Sequence, residues 1–214
     1  MSVPDRIDEA PLTVLVDVRQ PLAYLALGPT IELGRRRGLE INWLPCSLSP
    51  LKPPPPENEG HDRSVAHRRN RARMIAREIE TYADAQGLRV REYYRNGDWS
   101  VLAQALLFVR EQARASLESF LEATFAAYWA VELDPMDLPA VASFVAEVGA
   151  SGEAFVAWSE GEGPEAAESI AGALRHRGMS GAPAYFVEGE YFQGRQHLPM
   201  IEWLLEGRPG PGPI

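Results

Sequence analysis

The chain has 214 residues, 45% hydrophobic and 24% charged, enough for one or two domains with a buried core. Its formal net charge of -9 argues against nucleic acid as a partner, because holding a polyanion takes a surplus of Lys and Arg. A single cysteine, Cys46, excludes an internal disulfide, a CxxC redox pair and a thiolate zinc cluster. No basic stretch followed by an apolar one opens the sequence, so no secretory signal is expected. No apolar run approaches a membrane span either, which leaves a cytoplasmic protein without a membrane partner as the expectation.

The organising stretch is LTVLVDVRQPLAYLAL, residues 12–27. LTVLVDV is a β-rich run long enough for a buried strand. It breaks at Arg19-Gln20-Pro21, and LAYLALGPTIELG then carries apolar residues at helical spacing. Pro21 suits the first turn of that helix, where a missing N–H costs nothing. A strand feeding straight into a helix leaves Gln20 and Leu22 beside free N–H groups and the positive end of the helix dipole, a place for an anion or thiolate.

GRRRG, ending at Gly38, is a helix stop with basic residues at the negative end of the dipole, and Arg35 to Arg37 are read as solvated. LEINWLPCSL is a second strand, so a parallel βαβ unit opens the chain. The Pro-rich stretch from Ser49 to Arg63 cannot continue a sheet. Helices follow. HRRNRARMIAREIETYADAQGL is amphipathic and stopped by Gly87, and Trp99 to Gln112 is apolar on most faces. SLESFLEATFAAYWAVE has Ser116 as a capping-type residue, and Asp137-Leu138-Pro139 starts another helix. Ser151 to Ser159 is a short helix, and an acidic region from Glu160 to Glu168 leads into AAESIAGALRHRG. APAYFVEGEYFQG is two alternating runs around Glu188-Gly189-Glu190, a hairpin signal. LPMIEWLLEG is a last amphipathic helix. The order βαβ, helical block, ββα is the α/β thioredoxin-like plan with a large inserted all-helical domain. The boundaries are 10–62 plus 168–207 for the thioredoxin-like part, 63–167 for the insertion and 208–214 for a disordered tail.

Four stretches carry a resemblance to a known family: VDVRQPLAYLA, RARMIAREIETYADAQGL, ATFAAYWAVELD and GAPAYFVEGEYFQGRQHLPMIEWLL. Together they resemble the DsbA-type thioredoxin superfamily, in the branch of 2-hydroxychromene-2-carboxylate isomerases and kappa-class glutathione transferases. The resemblance implies glutathione as cofactor and a small-molecule substrate. In that family the residue before the first-helix proline is a nucleophilic Cys or a Ser that stabilises the glutathione thiolate. Here it is Gln20, and the second redox position is Ala23. Thiol-disulfide exchange is thereby excluded at this site, since it needs a thiolate nucleophile. Gln20 is the candidate catalytic residue, with plain helix capping as the alternative.

Pro183 stands at the family's cis-proline position, and the resemblance implies that Ala182 pairs its backbone with the cysteinyl part of glutathione. Gln196 and His197 replace the Asp and Arg that hold the γ-glutamyl end. Arg71 stands where many members have Lys and is a candidate for a carboxylate, whereas Arg68, Arg69 and Arg73 read as a solvated face. His61, His67, His176 and His197 lack metal-ligand spacing, so no metal is expected. Cys46, Tyr24, Trp43 and Trp129 read as core. A homodimer is expected, from the family and from helix ends rich in exposed Trp and Leu. The competing reading is a thioredoxin-fold binding protein that has lost the catalytic Ser or Cys.

Overall fold

In the computed structural model, which describes residues 7, 10–58, 60 and 62–213, the two apolar runs near the start are strands buried at every position. They are β1 (Leu12–Val16) and β2 (Ile41–Pro45), joined through helix α1 (Pro21–Arg37). Continuous rather than alternating apolar sequence is what a parallel pair covered on both faces requires. Helices α2 (Arg63–Gln86), α3 (Ser100–Gln112), α4 (Leu117–Trp129), α5 (Leu138–Glu147), α6 (Gly152–Glu160) and α7 (Gly163–His176) follow. The sheet then resumes with β3 (Ala184–Val187) and β4 (Glu190–Gln193), and the chain closes on α8 (Leu198–Leu205). Strand order is β2-β1-β3-β4, with β1 parallel to β2 and antiparallel to β3, and β3 antiparallel to β4. This is the thioredoxin-like fold with helices inserted between its two halves.

Local chemistry sets the element ends. Gly38 closes α1 in the left-handed region at φ 61, returning its N–H to the Arg35 carbonyl. Asp62, Asp137 and Ser151 cap α2, α5 and α6 with side-chain oxygens. Ser116 does not cap; a 3₁₀ turn over Arg114–Ser116 runs directly into α4. Glu188 and Gly189 both have positive φ, 49 and 84, which a two-residue hairpin turn needs to match the strand twist.

Pro29 lies inside α1, where it has no N–H to give the carbonyl of Leu25 four residues back. The Gln86 side chain, at the end of α2, donates to that carbonyl at 3.1 Å. The repair ties α1 to α2 around the small cluster of Leu25, Ile79 and Ala83.

One buried cluster spans both the sheet and the inserted helices, holding Leu15, Trp43 and Tyr185 together with Phe120, Phe125 and Trp129. A polar thread crosses it: Asn42 donates to Thr13 at 3.0 Å and accepts from the buried Arg110 at 3.0 Å. Tyr24, Trp43, Cys46 and Trp129 are all buried, as the sequence reading expects.

Two expectations need correction. Arg36 and Arg37 are not merely solvated; they pair with Glu202 of α8 at 3.0 and 2.7 Å, and Arg37 also with Glu206. The helix-end Trp and Leu residues are buried or half-buried, and among the described residues the exposed large apolar side chains are Met74, Tyr82, Val131 and Met136. At the expected tail, Arg208 donates its N–H to Trp203 at 2.9 Å and pairs with Glu188 at 2.7 Å, while Ile214 lies outside the described residues.

Candidate functional site

The end of the sheet where β1 and β2 finish gathers the sequence-marked residues near α1. Leu15 opposes Ala184, so the register carries Pro183 alongside the end of β1. The Ala182–Pro183 bond is cis. Cys46 locks this end together, with its N–H on Val16 O at 2.9 Å and its Sγ donating to Gly181 O at 3.1 Å. Burial pushes the Cys46 thiol up to about 12, with the charge of Asp17 acting in the same direction. It stays a thiol and is no nucleophile.

Gln20 occupies the N-cap position of α1, yet its side chain makes no capping bond, which disposes of the capping alternative. Its amide instead donates to the Ser49 carbonyl at 3.0 Å. At the helix start, Ala23 and Tyr24 give their N–H groups to Gln20 O, and Pro21 has none. That leaves Leu22 with an N–H engaged by no group among the described residues. Ala182 is in the same condition: neither its N–H nor its C=O is engaged among the described residues, whereas the carbonyls on either side, of Gly181 and Pro183, accept from Cys46 and Gly194. A free donor at a helix N-terminus and a free peptide at the same end of the sheet are the fittings a thiol-bearing peptide needs.

Beneath Gln20 lies a pair that sequence reasoning missed. Asp17 is fully buried and meets Arg19 through Nε at 3.0 Å and Nη2 at 2.8 Å. Arg19 spends its remaining donors on the carbonyls of Gly97 at 2.7 Å and Leu48 at 2.8 Å, and Asp17 also accepts from Leu48 N at 2.9 Å. One ion pair thus pins three loops around the head of α1. The Asp-x-Arg spacing at the end of a buried strand was the available signal.

The remaining candidates are less gathered. Gln196 is exposed and its amide donates to Gln193 O at 3.0 Å. The His197 ring lies 5.5 Å from that of Phe192. The neighbour passed over, Arg195, reaches instead to α2, pairing with Glu78 at 3.0 Å and stacking 3.4 Å over the Tyr82 ring. Arg71 is exposed on α2 and borders an open groove of about 800 Å³ with Met74, Ile75 and Tyr82. Of the other arginines there, Arg69 is engaged by the carbonyls of Pro55, Pro56 and Gly60 rather than solvated. His61 lies outside the described residues. Among the described residues no group of three His, Cys, Asp or Glu side chains is placed to hold a metal ion, and no helix is long and apolar enough to cross a membrane.

Comparison with known proteins places the fold. The family model described as DSBA-like thioredoxin domain matches residues 12–206. A 2-hydroxychromene-2-carboxylate isomerase of Sphingobium xenophagum is 27% identical over 194 residues, covering 88% of this chain and 94% of that protein. A solved 2-hydroxychromene-2-carboxylate isomerase superposes with a TM-score of 0.69 at 19% identity, covering 92% of this chain and 94% of its own. The cytosolic disulfide reductase DsbM of Pseudomonas aeruginosa, solved with GSH, superposes with a TM-score of 0.58 at 16% identity, covering 92% and 98%.

Proposed function

The chain belongs to the DsbA-like thioredoxin family, and from that premise we propose a glutathione-dependent, isomerase- or transferase-like enzyme acting on an aromatic or xenobiotic small molecule. The observation that carries the reading is the pairing of two unengaged backbone groups, Leu22 N–H and the Ala182 peptide, at one end of the sheet. The relative's 27% identity over most of both chains supports the isomerase-like chemistry.

When bound, glutathione supplies a thiolate that adds reversibly to an unsaturated acceptor. The chain's own residues do the rest. Leu22 N–H and the α1 dipole stabilise negative charge on sulfur, and the second amide hydrogen of Gln20 adds a donor from the side. Ala182 pairs with the cysteinyl backbone as an added strand, held in place by Pro183. Arg71 takes a carboxylate of ligand or substrate. Gln196, through its carbonyl, and His197 stand at the γ-glutamyl end without the family's ion pair. The fit is thus good at the thiol and weaker at the charged end. Dithiol exchange is not available to a chain whose one cysteine is buried.

Titration calorimetry with glutathione on wild type, Gln20→Ala and Gln20→Ser tests the reading. Binding in the micromolar to millimolar range is expected. Gln20→Ala lowers thiol-dependent turnover by roughly ten- to a thousandfold, the loss that follows removal of one donor to a developing anion. Gln20→Ser restores or raises it. No heat at high millimolar glutathione overturns the proposal.

One observation favours the second reading, a binding protein without chemistry: the amides of the two substituted glutamines, Gln20 and Gln196, already donate to backbone carbonyls. In that case Gln20→Ser creates glutathione affinity where wild type has none. We further place the protein in the cytoplasm as a homodimer, and a monomeric mass by solution scattering contradicts the latter.

A further inference from the structure

Behind Arg19, on the side facing the inserted helices, a cavity of about 350 Å³ opens between the 95–98 loop, the end of α4 and the 134–136 turn. Its size is at the lower end of small-molecule pockets. Tyr128 lines it and is 2% exposed, yet its hydroxyl makes no hydrogen bond among the described residues. The hydroxyl is not closed off from solvent, so it faces the open space of the cavity, where water or a ligand meets it.

Arg95 lies over the Tyr128 ring, 4.1 Å from its centre. Its donors go to the carbonyls of Tyr128 and Leu133, the second at 3.4 Å, and among the described residues it meets no carboxylate. Two carboxylates border the same space. Asp98 is saturated by Trp99 and Ser100. Asp134 accepts from Met136 N–H at 3.0 Å through one oxygen, and its other oxygen meets no group among the described residues. Arg19 is already satisfied by Asp17, Gly97 and Leu48. Around one small space stand the Arg95 charge, met by carbonyls and no carboxylate among the described residues, the Tyr128 hydroxyl and one Asp134 oxygen.

The geometry points to a second ligand site that takes a small α-amino acid, its carboxylate on the Tyr128 hydroxyl and Arg95, its ammonium on Asp134. The charge pattern selects against either half alone. A plain carboxylate meets the two acids at the rim, and a plain amine meets Arg95. Burial holds the Tyr128 hydroxyl above its ordinary ionisation range, and it remains a donor at neutral pH. This site goes beyond the glutathione reading, which rests on Gln20, Leu22 and Ala182.

Titration calorimetry of the full chain with L-serine, L-methionine and L-glutamate, and separately with propionate and ethylammonium, decides it. At least one amino acid binds, and neither half-molecule does. Tyr128→Phe weakens that binding by about tenfold or more, as loss of a hydrogen bond to a charged group predicts, with Tm unchanged or raised. Asp134→Asn weakens it as well, and Gln20→Ala leaves it intact, so a failed glutathione titration does not touch this result. The inference is overturned if no amino acid binds at roughly 10 mM. It is equally overturned if propionate binds as well as the amino acids, or if Tyr128→Phe lowers Tm or keeps wild-type affinity.

Discussion

Replacing Arg19 by Met should be among the most damaging single changes near the head of α1. Arg19 makes two bonds to Asp17, at 3.0 and 2.8 Å, and two to backbone carbonyls, at 2.7 and 2.8 Å. Met keeps much of the volume and none of the donors. Asp17, fully buried, is left with only the N–H groups of Arg19's own position and Leu48 against its charge. Stranding one member of a buried pair costs about 3–5 kcal/mol. For a chain of this length that is a fall in Tm of roughly 6–20 °C. Urea unfolding of wild type, Arg19→Met and Asp17→Asn/Arg19→Met measures it. The double variant removes the stranded charge and should recover about half the loss or more, leaving the unmet carbonyls of Gly97 and Leu48 at about 1–3 kcal/mol. A single-variant loss under about 1 kcal/mol, or a double variant no more stable than the single, refutes the claim that this pair organises the loops.

Gln86→Leu leaves the Leu25 carbonyl without a donor beneath Pro29, and should cost about 1–3 kcal/mol by urea unfolding; an unchanged midpoint means water replaces the amide freely. At alkaline pH, burial pushes both the Cys46 thiol and the Tyr185 hydroxyl up to about 12, so each stays protonated in the fold after the unfolded chain has ionised. The unfolded state then binds fewer protons, and stability falls as pH rises from about 9 toward 12, by at most about 1.4 kcal/mol per pH unit for each group. Cys46→Ala and Tyr185→Phe each flatten that slope, and a wild-type stability flat across the range contradicts the burial argument.

Much of the fold is legible in the residues because its determinants are local. The buried runs at 12–16 and 41–45, the stops at Gly38 and Gly87 and the hairpin at Glu188-Gly189 each depend on a few neighbouring positions. Ser116 failed as a cap because the 3₁₀ turn before it supplies another way into α4. Of the candidate site, the sequence shows the parts that neighbouring positions bring to one end of the sheet, Gln20, Ala182 and Pro183. The site is illegible where partners lie far apart in the chain. Arg19 finds Leu48 and Gly97, and Arg195 finds Glu78, across separations of 29, 78 and 117 residues. Gln196 and His197 stand out by position within a motif, but the structure gives the long-range contact to Arg195 beside them.

In the proposed function, the head of α1 and the Ala182 peptide together hold the thiol and backbone of glutathione. Amide-resolved NMR of the ¹⁵N-labelled chain, titrated with glutathione, tests it at the two groups named. Leu22 and Ala182 should show the largest amide shifts, saturating together, with the Gln20 side-chain amide moving in step. Shifts confined to other parts of the chain, or none at high millimolar glutathione, contradict it.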